Sequence, residues 1–169
     1  MKFGKRTYRN PKELLADLWF PLRNRKKLRE ATRTGLLSPD FRERLMLAVT
    51  AVNGCRYCSY FHARQALKSG VSQAEIGRLL AGDIGDCPEE EATAVIYAQH
   101  WAETDGRPDP EAVEKLQQTY GIEKTAAIHL MLRMIRTGNL MGNTWDYFLY
   151  RLSFGKWRGK GATKTTNGE

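Results

Sequence analysis

The strongest constraint on what this chain can become lies between Ser38 and Gly54. Ser38-Pro39-Asp40 combines an N-cap hydroxyl with proline at the first helical position, and Asn53-Gly54 supplies a stop signal. Between them "FRERLMLAVTAV" reads as one helix, apolar on nearly every side from Leu45 to Val52. A helix that is apolar all round has to be surrounded, so this segment predicts the centre of a core and demands further elements to cover it. The rest of the chain reads as more helices. One runs from about Cys55 to Ser69 and stops at Gly70, and "SQAE" at 72–75 is a capping box for another that covers Ile76, Leu79 and Leu80 and ends near Gly82. Pro88 opens a fourth with acids in its first turn, and Asp109-Pro110 a fifth that Gly121 closes. The apolar-rich stretch from Glu123 to about Phe154 predicts a long final helix with a bend near Gly138 or Gly142. No segment alternates with period two between turn signals, so the expected class is all-α. A central antiparallel helix pair forms if the chain folds back at Asn53-Gly54.

The chain has 169 residues, 41% of them hydrophobic and 27% charged, which suits one globular domain with a core of its own. No apolar run approaches the roughly 18 residues of a bilayer crossing, and "MKFGKRTYRNPKELL" has no signal-peptide h-region, so the expected compartment is the cytoplasm, with no membrane partner. The net charge of +8 has a local origin: residues 1–35 hold eleven Lys or Arg against Glu13, Asp17 and Glu30. Without a nucleic-acid-binding motif beside it, such a distribution is a basic arm, and no nucleic-acid partner is expected. The expected organisation is therefore an arm or helix over 1–35, packing on the domain or on a neighbouring subunit, with Pro21 cutting short the segment that holds Leu14, Leu15, Leu18, Trp19 and Phe20. A helical domain over 36–154 follows, and then a disordered tail over 155–169 that is rich in Gly, Lys and Thr.

"NGCRYCSYFHA" at 53–63 carries Cys55, Cys58 and His62 at helical offsets of three and four, so the three side chains share one face. A cysteine at a helix start has its thiolate stabilised by the helix dipole, and a Cys-x-x-Cys pair there can approach disulfide geometry. Folding back at Asn53-Gly54 brings Glu43 level with position 64, beside His62, where a carboxylate can orient the imidazole or accept a proton. Three readings stay open on these residues alone: a redox pair, a zinc site completed by Glu43 or Cys87, and ordinary packing. Against zinc, Cys55 and His62 are separated by about 10 Å of helical rise, a long span for two ligands of one tetrahedral ion. Haem c attachment needs His directly after the second Cys, where this chain has Ser59. His100 and His129 read as core or interface residues, and Cys87, just ahead of Pro88, as the cap of the fourth helix.

Glu43, eleven intervening residues, then Cys55-x-x-Cys58-x-x-x-His62 resembles the signature of the alkylhydroperoxidase D-like branch of the carboxymuconolactone decarboxylase family. "AVNGCRYC", "SGVSQAEIGRLLAGD" and the helical second half extend the similarity over roughly 36–154. The resemblance implies an alkylhydroperoxidase D-like helical fold, a homo-oligomer (trimer or hexamer), and thiol-dependent reduction of a peroxide with an external dithiol as reductant. No cofactor and no metal are implied. Carried onto this chain, Cys58 is the peroxidatic thiol, Cys55 the resolving thiol that meets the reductant, and Glu43 with His62 the proton relay. The branch carries a further histidine before the second cysteine, where this chain has Tyr57. A phenol titrating near pH ~10 is a poor proton shuttle at neutral pH, so the departure bears on peroxide chemistry more than on thiol exchange.

Overall fold

A computed structural model describes residues 3–33 and 35–154, and the predicted tail over 155–169 lies outside the described residues. The described residues form α1 (Pro11–Arg23), α2 (Arg25–Arg33), α3 (Pro39–Asn53), α4 (Arg56–Lys68), α5 (Gln73–Leu80), α6 (Glu89–Glu103) and α7 (Pro110–Leu152), with no strand among them. None of these helices is long and apolar enough to cross a membrane.

The central position expected for the Ser38–Gly54 segment is where α3 lies. The Ser38 hydroxyl accepts the Phe41 N–H, and Gly54 closes the helix in the left-handed region at φ 66°, its N–H donating to the Thr50 carbonyl at 2.8 Å. Helices α4, α5, α6 and α7 all pack on α3, and Leu45, Leu47, Ala48 and Val49 have no exposed surface. Each fully buried Leu or Val side chain among them stabilises the fold by about 1.5–3 kcal/mol. A left-handed residue lets the chain reverse at once, so α4 returns antiparallel beside α3 and fixes the register between them.

Two features differ from the sequence reading. Pro21 lies inside α1, which continues to Arg23. That close to a helix end, proline removes only the bond to the Asp17 carbonyl, and α1 is closed by Asn24, whose backbone and side-chain amides both donate to the Phe20 carbonyl. In α7 the backbone leaves helical geometry at Gly121 (φ 76°, ψ 168°), as the stop signal there predicts, but Gly138 and Gly142 produce no bend. At Gly142 the missing side chain serves close packing instead, as the site below makes plain, whereas a Cβ at Gly138 would meet open space.

Buried charge holds the helices in order. Arg44, 6% exposed, donates through Nε to Glu75 of α5 at 2.6 Å and through one terminal nitrogen to Asp40 at 2.7 Å and Glu91 of α6 at 3.0 Å. One guanidinium thus ties three helices together. The N-terminal arm lies along α7 and the end of α6. Tyr8 N–H donates to Thr144, Lys5 pairs with Asp146, and Arg6 donates to the Ala102 and Glu103 carbonyls. Arg136 of α7 reaches Glu13 at 2.8 Å and Asp17 at 3.2 Å, fastening α1. Helix α1 turns Asp17 and Phe20 inward and leaves Leu15, Leu18, Trp19 and Leu22 exposed along one face.

Candidate active site

The chain reversal that makes the core pair also builds the site. Asn143 of α7 donates its side-chain amide to the Asn53 carbonyl at 2.8 Å, pinning the turn. Cys55 is the N-cap of α4 and not a first-turn residue as the sequence suggested: its sulfur accepts the Cys58 N–H at 3.3 Å, the position an Asp or Ser oxygen ordinarily takes. Cys55 and Cys58 are joined by a disulfide with their Cα atoms 5.3 Å apart.

The two sulfurs differ in exposure. Cys55 has no exposed surface, whereas Cys58 is half-buried. Gly142 explains how the first fits: a Cβ at that position would stand 2.8 Å from Cys55 Sγ and 3.3 Å from a ring carbon of Tyr57. Only glycine lets α7 pass this close to the sulfur. On the other side Cys58 lines an open, mostly apolar pocket of about 330 Å³, with Met46, Tyr57, Phe61, His62, Met134, Ile135 and Gly138.

His62 Nδ1 and Glu43 Oε2 lie 2.7 Å apart, the pairing that counting outward from Asn53-Gly54 predicts. Glu43 is 6% exposed, with Arg42 Nε 3.9 Å from its other oxygen, so the carboxylate is a fixed acceptor inside the helix pair and not a surface acid. A carboxylate on Nδ1 leaves Nε2 as the imidazole's proton-exchanging atom, and His62 faces the same pocket as Cys58. The four residues singled out in the sequence, Glu43, Cys55, Cys58 and His62, thus form one contiguous assembly.

Sequence reasoning missed the supports from α7. Asp146, 2% exposed, accepts from Tyr57 Oη at 2.9 Å and Arg56 at 2.8 Å and pairs with Lys5 at 3.5 Å. The Tyr57 hydroxyl is therefore engaged with Asp146, while its ring forms part of the pocket wall. Gly138, Gly142 and Asp146 recur every four residues, a periodicity that marks one face of α7 but does not say what meets it.

The remaining candidates lie elsewhere. Cys87 is a free thiol that packs on the core, and Pro88, not Cys87, is the N-cap of α6, which has no side-chain cap bond. Burial first, and the nearby Glu91 carboxylate second, push the Cys87 thiol up to about 11. His129 Nε2 lies 2.6 Å from Tyr97 Oη; burial lowers the imidazole and raises the phenol to about 12, so both stay neutral at pH 7. His100 meets Asp109, the N-cap of α7, at 3.1 Å. None of the three lines the pocket at Cys58.

An all-α domain with a Cys-x-x-Cys disulfide capping one helix of its central pair, and a His–Glu dyad beside it, defines the class. Residues 21–100, the region that carries Glu43, Cys55, Cys58 and His62, match the model of the carboxymuconolactone decarboxylase family. No curated protein and no solved structure matches the chain.

Proposed function

We propose that the protein is a thiol-dependent peroxidase of the alkyl hydroperoxide reductase type. The observation that carries this reading is the Cys55–Cys58 disulfide beside an apolar pocket shared by Cys58 and His62, with His62 held by Glu43. In the reduced protein His62 takes the Cys58 proton through Nε2, and the Cys58 thiolate attacks the terminal oxygen of a hydroperoxide. The O–O bond breaks, the departing alkoxide takes the proton from His62 and leaves as the alcohol, and Cys58 becomes a sulfenic acid. Cys55 then attacks Cys58 Sγ, water leaves, and the disulfide closes. An external dithiol returns the pair to thiols and is itself oxidised to a disulfide.

Protein reduced with dithiothreitol is expected to consume cumene hydroperoxide catalytically, and Cys58→Ser to abolish the turnover. Consumption that survives Cys58→Ser refutes the proposal. A second reading, a disulfide oxidoreductase with little peroxidase activity, is favoured by Tyr57, whose hydroxyl is engaged with Asp146 and adds no proton shuttle at the pocket. It predicts thiol–disulfide exchange without peroxide consumption. Assembly as a cytoplasmic homo-oligomer belongs to the same proposal; the exposed faces of α1 (Leu15, Leu18, Trp19, Leu22) and α7 (Met141, Trp145, Phe148, Leu152) support it.

A further inference from the structure

The exposures of the two sulfurs assign them unequal roles in the reductive half of the cycle, and the assignment reverses what the family resemblance implies. We propose that Cys58 is the sulfur that external thiols attack, and that Cys55 is an internal leaving group that no reductant touches. The inference rests on the thiol–disulfide reading of the site but not on its peroxidase activity.

Thiol–disulfide exchange is an in-line displacement: the incoming thiolate needs open approach to one sulfur, and the other departs with the bonding electrons. Cys55 offers no exposed surface, and α7 passes so close at Gly142 that a Cβ there would stand 2.8 Å from its sulfur. The stem of Lys5 lies over the turn that precedes it, with Cγ 3.9 Å from where a Cβ of Gly54 would be. Cys58 is the sulfur that borders the open pocket. A thiol entering there meets Cys58 Sγ first.

Leaving-group chemistry points the same way. The departing sulfur is favoured when its thiolate is stabilised, and Cys55 Sγ already accepts the Cys58 N–H as the N-cap of α4. The charge released by cleavage therefore appears on a sulfur aimed at a helix N-terminus. Cleavage in the opposite sense would place the incoming group in the space that Gly142 leaves for a sulfur alone. In balance, a reductant thiolate forms a bond to Cys58 Sγ as the Cys55–Cys58 bond breaks, and Cys55 receives the electron pair. The reductant's second thiol then displaces Cys58 and closes the reductant's own disulfide, and its two protons pass to the protein thiols or to solvent.

The test uses glutathione, a monothiol that cannot close its own ring. Oxidised full-length protein is mixed briefly with excess glutathione, acid-quenched, alkylated and mapped by mass spectrometry. Glutathione on Cys58 with alkylated Cys55 is the expected result; glutathione on Cys55, or on the two equally, overturns the inference. Where no adduct accumulates, the single-cysteine variants decide. The Cys58 thiol in Cys55→Ser should react with 5,5′-dithiobis(2-nitrobenzoate) at least about ten-fold faster than the Cys55 thiol in Cys58→Ser, and equal or reversed rates overturn the inference. A disulfide that resists dithiothreitol altogether refutes the redox reading of the site and this inference together. Glutathione on Cys58 in a protein that consumes no peroxide refutes the peroxidase and leaves the assignment standing.

Discussion

Replacing Gly142 with alanine tests the close approach of α7 to Cys55. The added methyl would stand 2.8 Å from Cys55 Sγ and 3.3 Å from Tyr57 Cδ2, closer than a carbon and a sulfur can rest. Overpacking of this kind costs about 1–3 kcal/mol. Alanine for glycine inside a helix returns about 1 kcal/mol in either redox state. The two states differ in how they relieve the clash. In the reduced protein Cys55 can turn its sulfur aside by rotating about χ1, whereas in the oxidised protein the bond to Cys58 holds it in place. The overpacking cost therefore falls mainly on the disulfide form, and 1.4 kcal/mol corresponds to about 30 mV for a two-electron couple. Gly142→Ala should raise the reduction potential by roughly 20–60 mV, read by equilibrating the protein in dithiothreitol buffers and trapping free thiols. Gly138→Ala is the control: nothing lies within 4 Å of a Cβ there, so it should stabilise both states equally by about 1 kcal/mol and leave the potential unchanged. An unchanged potential in Gly142→Ala, or equal shifts in both variants, would refute the packing argument.

Other outcomes follow from the same geometry. Glu43→Gln keeps the shape of a 6% exposed side chain but removes the charge from His62 Nδ1; peroxide turnover should fall by about 10²-fold, with little change in melting temperature by circular dichroism. Arg44→Met strands the Glu75 and Glu91 carboxylates in the interior, and urea unfolding should show a loss of about 3–5 kcal/mol. Burial holds the Cys87 thiol up at about 11, so iodoacetamide at pH 7 should modify Cys87 in the folded protein far more slowly than after unfolding. Burial likewise lowers His129 below its unfolded value of about 6.5, so above that pH the residue is neutral in both states and contributes nothing. As pH falls through 6.5 the unfolded chain takes the proton first and stability drops, until the folded-state value is passed. His129→Asn should flatten the dependence of unfolding free energy on pH between about 7 and 5.5, and identical slopes in the two proteins would contradict this.

What could be read from the sequence was local, or fixed by counting from a local signal. Ser38-Pro39 and Asn53-Gly54 bound α3 because caps and left-handed stops are written in a few adjacent residues. The same turn sets the register of α3 against α4, and this is why the Glu43–His62 contact was predictable without coordinates. The sequence reading puts Cys55 one position too far into its helix, because whether a cysteine caps or begins a turn depends on where its sulfur points. Arg44 looks like its neighbour Arg42 on the page, yet it is buried because Glu75 and Glu91 arrive from two other helices. Gly142, Asn143 and Asp146 lie some ninety residues from the cysteines they support, and no local signal records how α7 is rotated against α4. The glycines at 138 and 142 suggest a bend, but at 142 the missing side chain makes room for a neighbour, and a glycine gives the same signal whether the chain turns there or another element comes close.

The most direct test of the central claim is a single turnover. Fully reduced protein receives one equivalent of cumene hydroperoxide with no reductant present, and the products are counted. The proposed chemistry requires one equivalent of the alcohol and a loss of two hydrogens confined to the peptide pair that contains Cys55 and Cys58, with Cys87 still a thiol. Peroxide that remains unconsumed while both thiols stay free, or oxidation that falls on Cys87 instead, would contradict it.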